Sequence, residues 1–313
     1  MTDLFNTKQI SPMLIADEVE AFDDPDFLYE LKFDGIRCIV FLDPKAKTTR
    51  FYNKRHMLLN PHFPELLQIH KNVKQKCILD GEVFVMNNGR PTFSDVQKRA
   101  LTNDKFKIEL QSKKLPASFV AYDILYLRDK EITDLPLLKR KEKLESVIKS
   151  ENELFSYSRY NVGQGIKLYE LTESQNLEGI VAKRIDSKYY QGKRSKDWLK
   201  IKMMLDDDFV ICGYEVKEHI RTIVLGQYDE LGELVYRGRV AGISKDAFNE
   251  ILNVKRVKPH FSKLGEYDIE WIQPELVCKI KFMEYSAKGG LRQPVFVSLR
   301  NDKLPKECKL RLK

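Results

Sequence analysis

Residues Phe27 to Leu42 constrain this chain more than any other stretch. Phe27, Tyr29, Leu31 and Phe33 alternate with other residues at the two-residue period of a strand. Lys32 is therefore expected on the face opposite Leu31 and Phe33. Asp34-Gly35 is a turn signal and Ile36 to Leu42 (IRCIVFL) reads as a second strand, so the stretch is expected to form a hairpin. A lysine held beside a tight turn is a candidate nucleophile, and a solvated hairpin accounts for the same pattern. To attack, its amine must lose a proton, which burial, neighbouring cations or a nearby divalent metal would favour.

Acidic residues recur inside apolar strands. Cys77 to Val85 (CILDGEVFV) carries Asp80-Gly81-Glu82, read as a strand interrupted by acids, and Glu178 precedes the apolar run Gly179 to Arg184 (GIVAKR). A carboxylate in such a setting needs a partner, or it marks an exposed bulge or turn. Phe119 to Leu127 (FVAYDILYL) is another apolar strand, in which Tyr122 is expected in the core. In Trp198-Leu199-Lys200-Ile201-Lys202 the alternation puts Lys200 and Lys202 on one face, as a phosphate site or a half-exposed strand would have it. Helices are expected over Pro61–Lys71, from a Ser94 cap near Asp95 with Val96 and Leu101 inward, from Asp134 or Pro136 to Lys149, and over Leu168–Asn176 with Leu168 and Leu171 inward. Residues before Phe27 look like an arm leading into the core, in which Ser11 to Leu14 could pack on the domain and nothing suggests chemistry.

The pattern changes at Asp206-Asp207-Asp208, where the domain boundary is expected, giving domains 1–205 and 206–313. Beyond it, short alternating strands (FVICGYEV, TIVLGQY, LVYRGRVA, LVCKIKFMEY, PVFVSL) surround one helical stretch, Ser244 to Leu252. Strands with one helix in this length suggest a small closed barrel of the OB type, which commonly binds nucleic acid.

Glu30 to Arg37 (E-x-K-x-D-G-x-R) resembles the nucleotidyl-lysine motif of ATP-dependent DNA ligases, shared with RNA ligases and mRNA capping enzymes. The D-G-E, E-G-I-V-A-K-R, G-K-R-S-x-x-W-L-K-I-K and L-R-x-P-V-F-x-x-L-R-x-D-K segments follow in that family's order. The likeness runs from Lys32 almost to the C-terminus and is strongest to the ligase module of bacterial end-joining ligases and to small bacterial or phage ligases. It implies an α+β fold: a nucleotidyltransferase (adenylation) domain with antiparallel sheets, then the OB barrel.

The resemblance also implies roles. Lys32 would attack the α-phosphate of ATP, giving a lysyl-adenylate. AMP would then pass to the 5′-phosphate of a nick, and the 3′-hydroxyl would displace it. Glu30, Arg37 and Arg55 would bind the nucleotide, Arg55 at the ribose or the nick. Glu82 would reach the ribose and metal region, and Tyr122 would stack on adenine. Glu178 would hold Mg2+ or Mn2+, Lys183 would approach the adenylate phosphate, and Lys200 and Lys202 the α-phosphate. Arg292, Arg300, Asp302 and Lys303 would orient pyrophosphate, and Asp34 would lie near the 3′-hydroxyl. A pivot near Asp206 to Asp208 would let the OB domain reorient between adenylation and nick binding. The implied substrate is nicked duplex DNA, with the chain acting as a monomer, alone or with Ku or a sliding clamp. An RNA ligase and a catalytically silent nick-binding protein are the rival readings. An NAD-dependent ligase would add zinc-binding cysteines and a nicotinamide region, and a capping enzyme would differ at the last motif.

Composition agrees where it speaks. Among 313 residues, 54 Lys and Arg against 46 Asp and Glu leave a formal charge of +8, which suits a polyanionic partner. The 5 cysteines show neither zinc spacing nor a disulfide framework and are expected as core thiols in a reducing cytoplasm. No signal peptide or membrane-spanning run is evident.

Overall fold

The computed structural model describes residues 4–261, 268–286 and 289–310. The chain divides into two compact units, Met1–Met203 and Met204–Lys313. No helix among the described residues is long and apolar enough to cross a membrane.

The first unit runs α1 (Leu4–Thr7), β1 (Leu14–Glu18), β2 (Phe27–Leu31), β3 (Ile36–Asp43) and β4 (Thr48–Asn53), then 3-10 turns at Asn60–His62 and Pro64–Asn72. β5 (Cys77–Asn87), β6 (Arg90–Pro91), α2 (Phe93–Leu101), α3 (Lys105–Lys114), β7 (Ala117–Leu127), β8 (Lys130–Glu131) and α4 (Leu137–Val147) follow. β9 (Phe155–Tyr157), β10 (Tyr160–Val162), α5 (Gly165–Ser174), β11 (Gly179–Arg184) and β12 (Arg194–Lys202) complete it. Among the described residues these strands make a five-stranded sheet, β1-β12-β11-β2-β10, and a seven-stranded sheet whose main path is β4-β3-β5-β7-β8.

Two-residue alternation explains how the sheets stack. Leu28 and Trp198 from the first, and Ile39, Phe41, Ile78 and Leu125 from the second, share one buried cluster with Ile10 and Met13. The opposite face of the five-stranded sheet buries Phe27, Tyr29, Ile180, Ala182 and Ile201 against Leu168 and Tyr169 of α5. The far face of the seven-stranded sheet packs Val40, Phe51, Leu79 and Phe119 with Leu144 and Val147 of α4.

Several local expectations change. β2 and β3 are not a hairpin, because they belong to different sheets, and Asp34-Gly35 carries the chain from one to the other. Gly35 is required by crowding: a Cβ there would lie 2.3 Å from the Val83 carbonyl oxygen. Asp80-Gly81-Glu82 does not interrupt its strand, since β5 runs through it. The Pro61–Lys71 stretch is 3-10 rather than α, with Pro64 restarting the turn. α2 starts at Phe93 behind Thr92, which places Ser94 inside the first turn. Leu101 and Leu171 face outward, Leu101 at the C-terminal end of α2. The N-terminal arm packs on the domain through the fully buried Met13, and its β1, paired with β12 in parallel, also brings Glu18 to Lys200 and Lys202.

The second unit contains β13 (Leu205–Lys217), β14 (Ile220–Tyr228), β15 (Leu234–Ala241), α6 (Lys245–Leu252) and β16 (Glu270–Trp271). β17 (Val277–Phe282), β18 (Glu284–Tyr285), β19 (Leu291–Arg292) and β20 (Val295–Leu299) follow. The antiparallel path β15-β14-β13-β17-β20 curls until its end strands touch, around Phe209, Ile223, Leu225, Ile280 and Phe282, with Phe248 and Ile251 of α6 in the same core. This is the OB-type barrel that the strand pattern suggested. Asp206, Asp207 and Asp208 are not a linker, since they lie in β13 opposite Lys281, Ile280 and Lys279 of β17.

Candidate active site

The charged end of the space between the two sheets is built by register. Glu30 of β2 lies opposite Val181 of β11, which lies opposite Lys200 of β12. Leu28, Lys183 and Trp198 form the next such row. Lys32 continues the series, with its backbone N–H donating to Gly179 at 2.9 Å, and Gly179 pairs with Lys202. Directly opposite residues share a face, so Glu30, Lys32, Lys183, Lys200 and Lys202 all project to the side of Leu28 and Trp198. That is the side facing the other sheet.

At the Lys32 end, Nζ lies 2.6 Å from Glu178 Oε1, with the carboxylate almost fully buried. Phe33 anchors this segment by stacking its ring 5.1 Å from that of Phe84. Asp34, between β2 and β3, is half-buried. Burial pushes the Glu82 carboxyl up to about 8; Lys32 and Arg37 pull it down, and Glu178 and Asp80 add to the rise. Lys202 Nζ lies 2.9 Å from Glu18 Oε2 and Lys200 Nζ 3.6 Å from the same oxygen, so β1 supplies the counter-charge for both strand lysines.

Toward Trp198 the space becomes aromatic. β7 shifts register by one residue between Asp123 and Ala121, and the extra residue is Tyr122. Such a bulge re-aims one side chain. The Lys183 ammonium sits 4.5 Å from the Tyr122 ring centroid and 4.2 Å from that of Trp198, and pairs with Glu30 at 3.0 Å. Burial, with Lys141 adding to it against the pull of Glu30, holds Lys183 below its ordinary range. Lys183 thus stands at the aromatic end of its strand, four positions from Gly179 beside Lys32. Arg37 reaches the same rings, 5.5 Å from Tyr122, and forks onto Asp80 at 3.0 and 2.6 Å. The Tyr189 hydroxyl donates to Asp80 at 2.7 Å and accepts from the Met13 N–H at 3.0 Å.

Glu30, Lys32, Arg37, Glu82, Tyr122, Glu178, Lys183, Lys200 and Lys202 therefore line one region of the first unit. Arg55 lies on the exposed turn after β4, where Asn53 Oδ1 accepts its backbone N–H at 2.9 Å. In the second unit Arg300 forks onto Asp302, both bonds at 2.8 Å, and meets Asp208 Oδ1 at 3.2 Å. Lys303 Nζ meets Asp208 Oδ2 at 2.6 Å, and Arg292 pairs with Glu284 at 3.1 Å. The acidic triad is thus a set of partners for the last motif and its surroundings: Asp207 also accepts from the Tyr285 hydroxyl at 3.0 Å.

Sequence reasoning passed over Glu18, Asp80, Lys141, Tyr189 and Asp208. One signal was readable: the inward positions of α4 are Leu137, Arg140, Lys141, Leu144 and Val147, and two cations inside an apolar stripe require buried acids elsewhere. Among the described residues no cluster of three or more His, Cys, Asp or Glu is arranged to hold a metal. Glu178, paired with Lys32, and Glu82, which feels the charge of both, are carboxylates of the kind a hard divalent ion takes.

The family model for the ATP dependent DNA ligase domain matches residues 10–202, and that for the ATP dependent DNA ligase C terminal region matches 217–303. The chain is 32% identical over 301 residues to a DNA ligase of Thermococcus onnurineus, covering 90% of this chain and 52% of the relative. It therefore spans about half the length of that archaeal relative. Over 294 residues it is 30% identical to the SPbeta prophage-derived DNA ligase-like protein LigB of Bacillus subtilis, covering 93% of this chain and 99% of that one. The ligase domain of M. tuberculosis LigD shares its fold, with TM-score 0.56 and 24% identity over 98% and 99% of the two chains. On these matches, together with the Lys32 face, the chain belongs to the ATP-dependent DNA ligase family.

Proposed function

We propose that this chain seals nicks in duplex DNA that carry a 5′-phosphate and a 3′-hydroxyl, using ATP. The observation that carries the reading is the Lys32 ammonium 2.6 Å from Glu178, on a sheet face shared with Lys200 and Lys202. Once the Lys32 ammonium has given a proton to solvent, a new N–P bond forms from its amine to the α-phosphorus as the bond to pyrophosphate breaks. AMP then moves to the 5′-phosphate of the nick, and the 3′-hydroxyl displaces it. Each transfer gathers charge on phosphate oxygens, and Lys200 and Lys202 are the cations of this face that meet it. Tyr122, Arg37, Lys183 and Glu30 hold the base and ribose. Arg55 and Asp34 serve the nick, and Arg292, Arg300, Asp302 and Lys303 serve the departing pyrophosphate. Mg2+ held by Glu178 and Glu82 would neutralise phosphate charge.

The test is the intact mass of the protein after incubation with ATP and magnesium, beside Lys32→Ala. One added AMP on the wild type and none on the variant is expected, followed by sealing of a DNA nick faster than of an RNA nick. A wild type that takes no AMP, even with pyrophosphate removed, defeats the proposal.

A further inference from the structure

Lys141 is a buried cation that the reaction, as described so far, does not use. Its side chain is 1% exposed, and Nζ meets Glu30 Oε1 at 2.8 Å, the Ser158 carbonyl at 3.1 Å and the Tyr122 carbonyl at 3.2 Å. The two carbonyls accept hydrogen bonds from the ammonium, and Glu30 Oε1 adds an ion pair. The acceptors belong to separate pieces of the fold. Glu30 is on β2 of the five-stranded sheet, Tyr122 is the bulged residue of β7 in the seven-stranded sheet, and Ser158 precedes β10. The Tyr160 ring centroid lies a further 5.3 Å from the same Nζ. One side chain from α4 thus ties the two sheets together where Tyr122 leaves the ladder.

Neutralising Glu30 does not require it, because Lys183 already pairs with the other carboxylate oxygen at 3.0 Å. The second cation instead fixes the rotation of that carboxylate and the backbone on which the Tyr122 ring stands. We infer that Lys141 is a positioning residue for the nucleotide: it holds Glu30 and Tyr122 in the binding arrangement before ATP arrives. The inference rests on the proposed function, in which Tyr122 and Glu30 border the base. Preorganisation of this kind lowers the cost of binding and leaves the chemical step alone. Its signature is a change in KM with kcat held.

The experiment is self-adenylation of Lys141→Met and wild type over a range of ATP, read as AMP on Lys32, with thermal unfolding of both proteins without nucleotide. KM for ATP is expected to rise about 10-fold or more while the rate at saturating ATP stays within about 3-fold. A fall in the saturating rate at unchanged KM overturns the inference, and so does no change in either. Should Lys141→Met fail to fold, Lys141→Arg keeps the charge but replaces the tetrahedral donors with a planar fork. It is expected to raise KM about 3-fold or more, and an unchanged KM overturns the inference. A wild type that takes no AMP fails earlier, on the proposed function itself, and the inference falls with it.

Discussion

Arg140 and Lys141 are neighbours on one helix, are almost equally buried, and each meets a buried carboxylate. Arg140 forks onto Asp123 with both bonds at 2.9 Å, both side chains being fully buried, and donates also to the carbonyls of Leu135 and Ser187. Lys141 shares its carboxylate with a second cation that stands against Tyr122 and Trp198. Beyond these partners the Arg140 guanidinium stands 5.8 Å from the Tyr189 ring centroid. The Lys141 pair borders the aromatic space. Burial and charge pairing therefore do not distinguish a structural pair from a site; what does is whether the pair touches groups with chemistry left to do.

The largest expected effect breaks the Arg140 pair. Arg140→Met strands the Asp123 carboxylate and should cost about 3–5 kcal/mol of stability by chemical denaturation. The KM for ATP of the protein that remains folded should not move; a raised KM would put Asp123 with the site instead. Lys141→Met should destabilise less, by about 1–3 kcal/mol, because Lys183 still answers Glu30. An equal or larger loss would erase the contrast between the two pairs.

Gly35→Ala tests the crossing between sheets rather than either pair. A Cβ 2.3 Å from the Val83 carbonyl must push the strands apart, at about 1–3 kcal/mol. It should slow adenylation at saturating ATP by shifting Lys32 against Glu178, where Lys141→Met raises KM. A Gly35→Ala enzyme with normal saturating turnover would refute the crowding argument.

The smallest effect belongs to an exposed pair. Hydrogen bonding from Arg300 holds the Asp302 carboxyl down at about 2, below its ordinary value. An acid depressed in the folded state adds stability above its ordinary titration range, and that stability is lost as pH falls toward about 2. Asp302→Asn should therefore flatten the stability profile between about pH 4 and pH 2, leaving the variant slightly less stable than wild type at neutral pH and equal to it near pH 2. A difference that appears only near pH 2 and is absent at neutral pH would contradict the assignment.

Much of this was legible because strands have a period of two. The alternation in Phe27 to Phe33 and in Trp198 to Lys202 placed Lys32, Lys200 and Lys202 opposite their apolar neighbours, and the register put them on one face. The run of short strands after Phe209 gave the barrel. What alternation could not show is which strands share a sheet. Asp34-Gly35 has the composition of a hairpin turn, but the chain crosses between layers there, and the glycine answers to a carbonyl of β5. Likewise three consecutive aspartates look like a break in folded structure. Their partners Lys279, Tyr285, Arg300 and Lys303 lie more than seventy residues onward, beyond the reach of local pattern. Glu18 and Lys141 were missed for the same reason, each being defined by a contact distant in sequence.

Asp208 carries one further consequence. By meeting Arg300 and Lys303 together, it gives the last motif a resident counter-ion. Any anion that engages those cations does so by exchange, and an anion of single charge gains little by replacing a carboxylate of the same charge. A group with several charges, such as pyrophosphate, has the advantage. If pyrophosphate engages these cations as proposed, the carboxylate in β13 would set a threshold on ligand valence, favouring a polyphosphate over the chloride and bicarbonate around it.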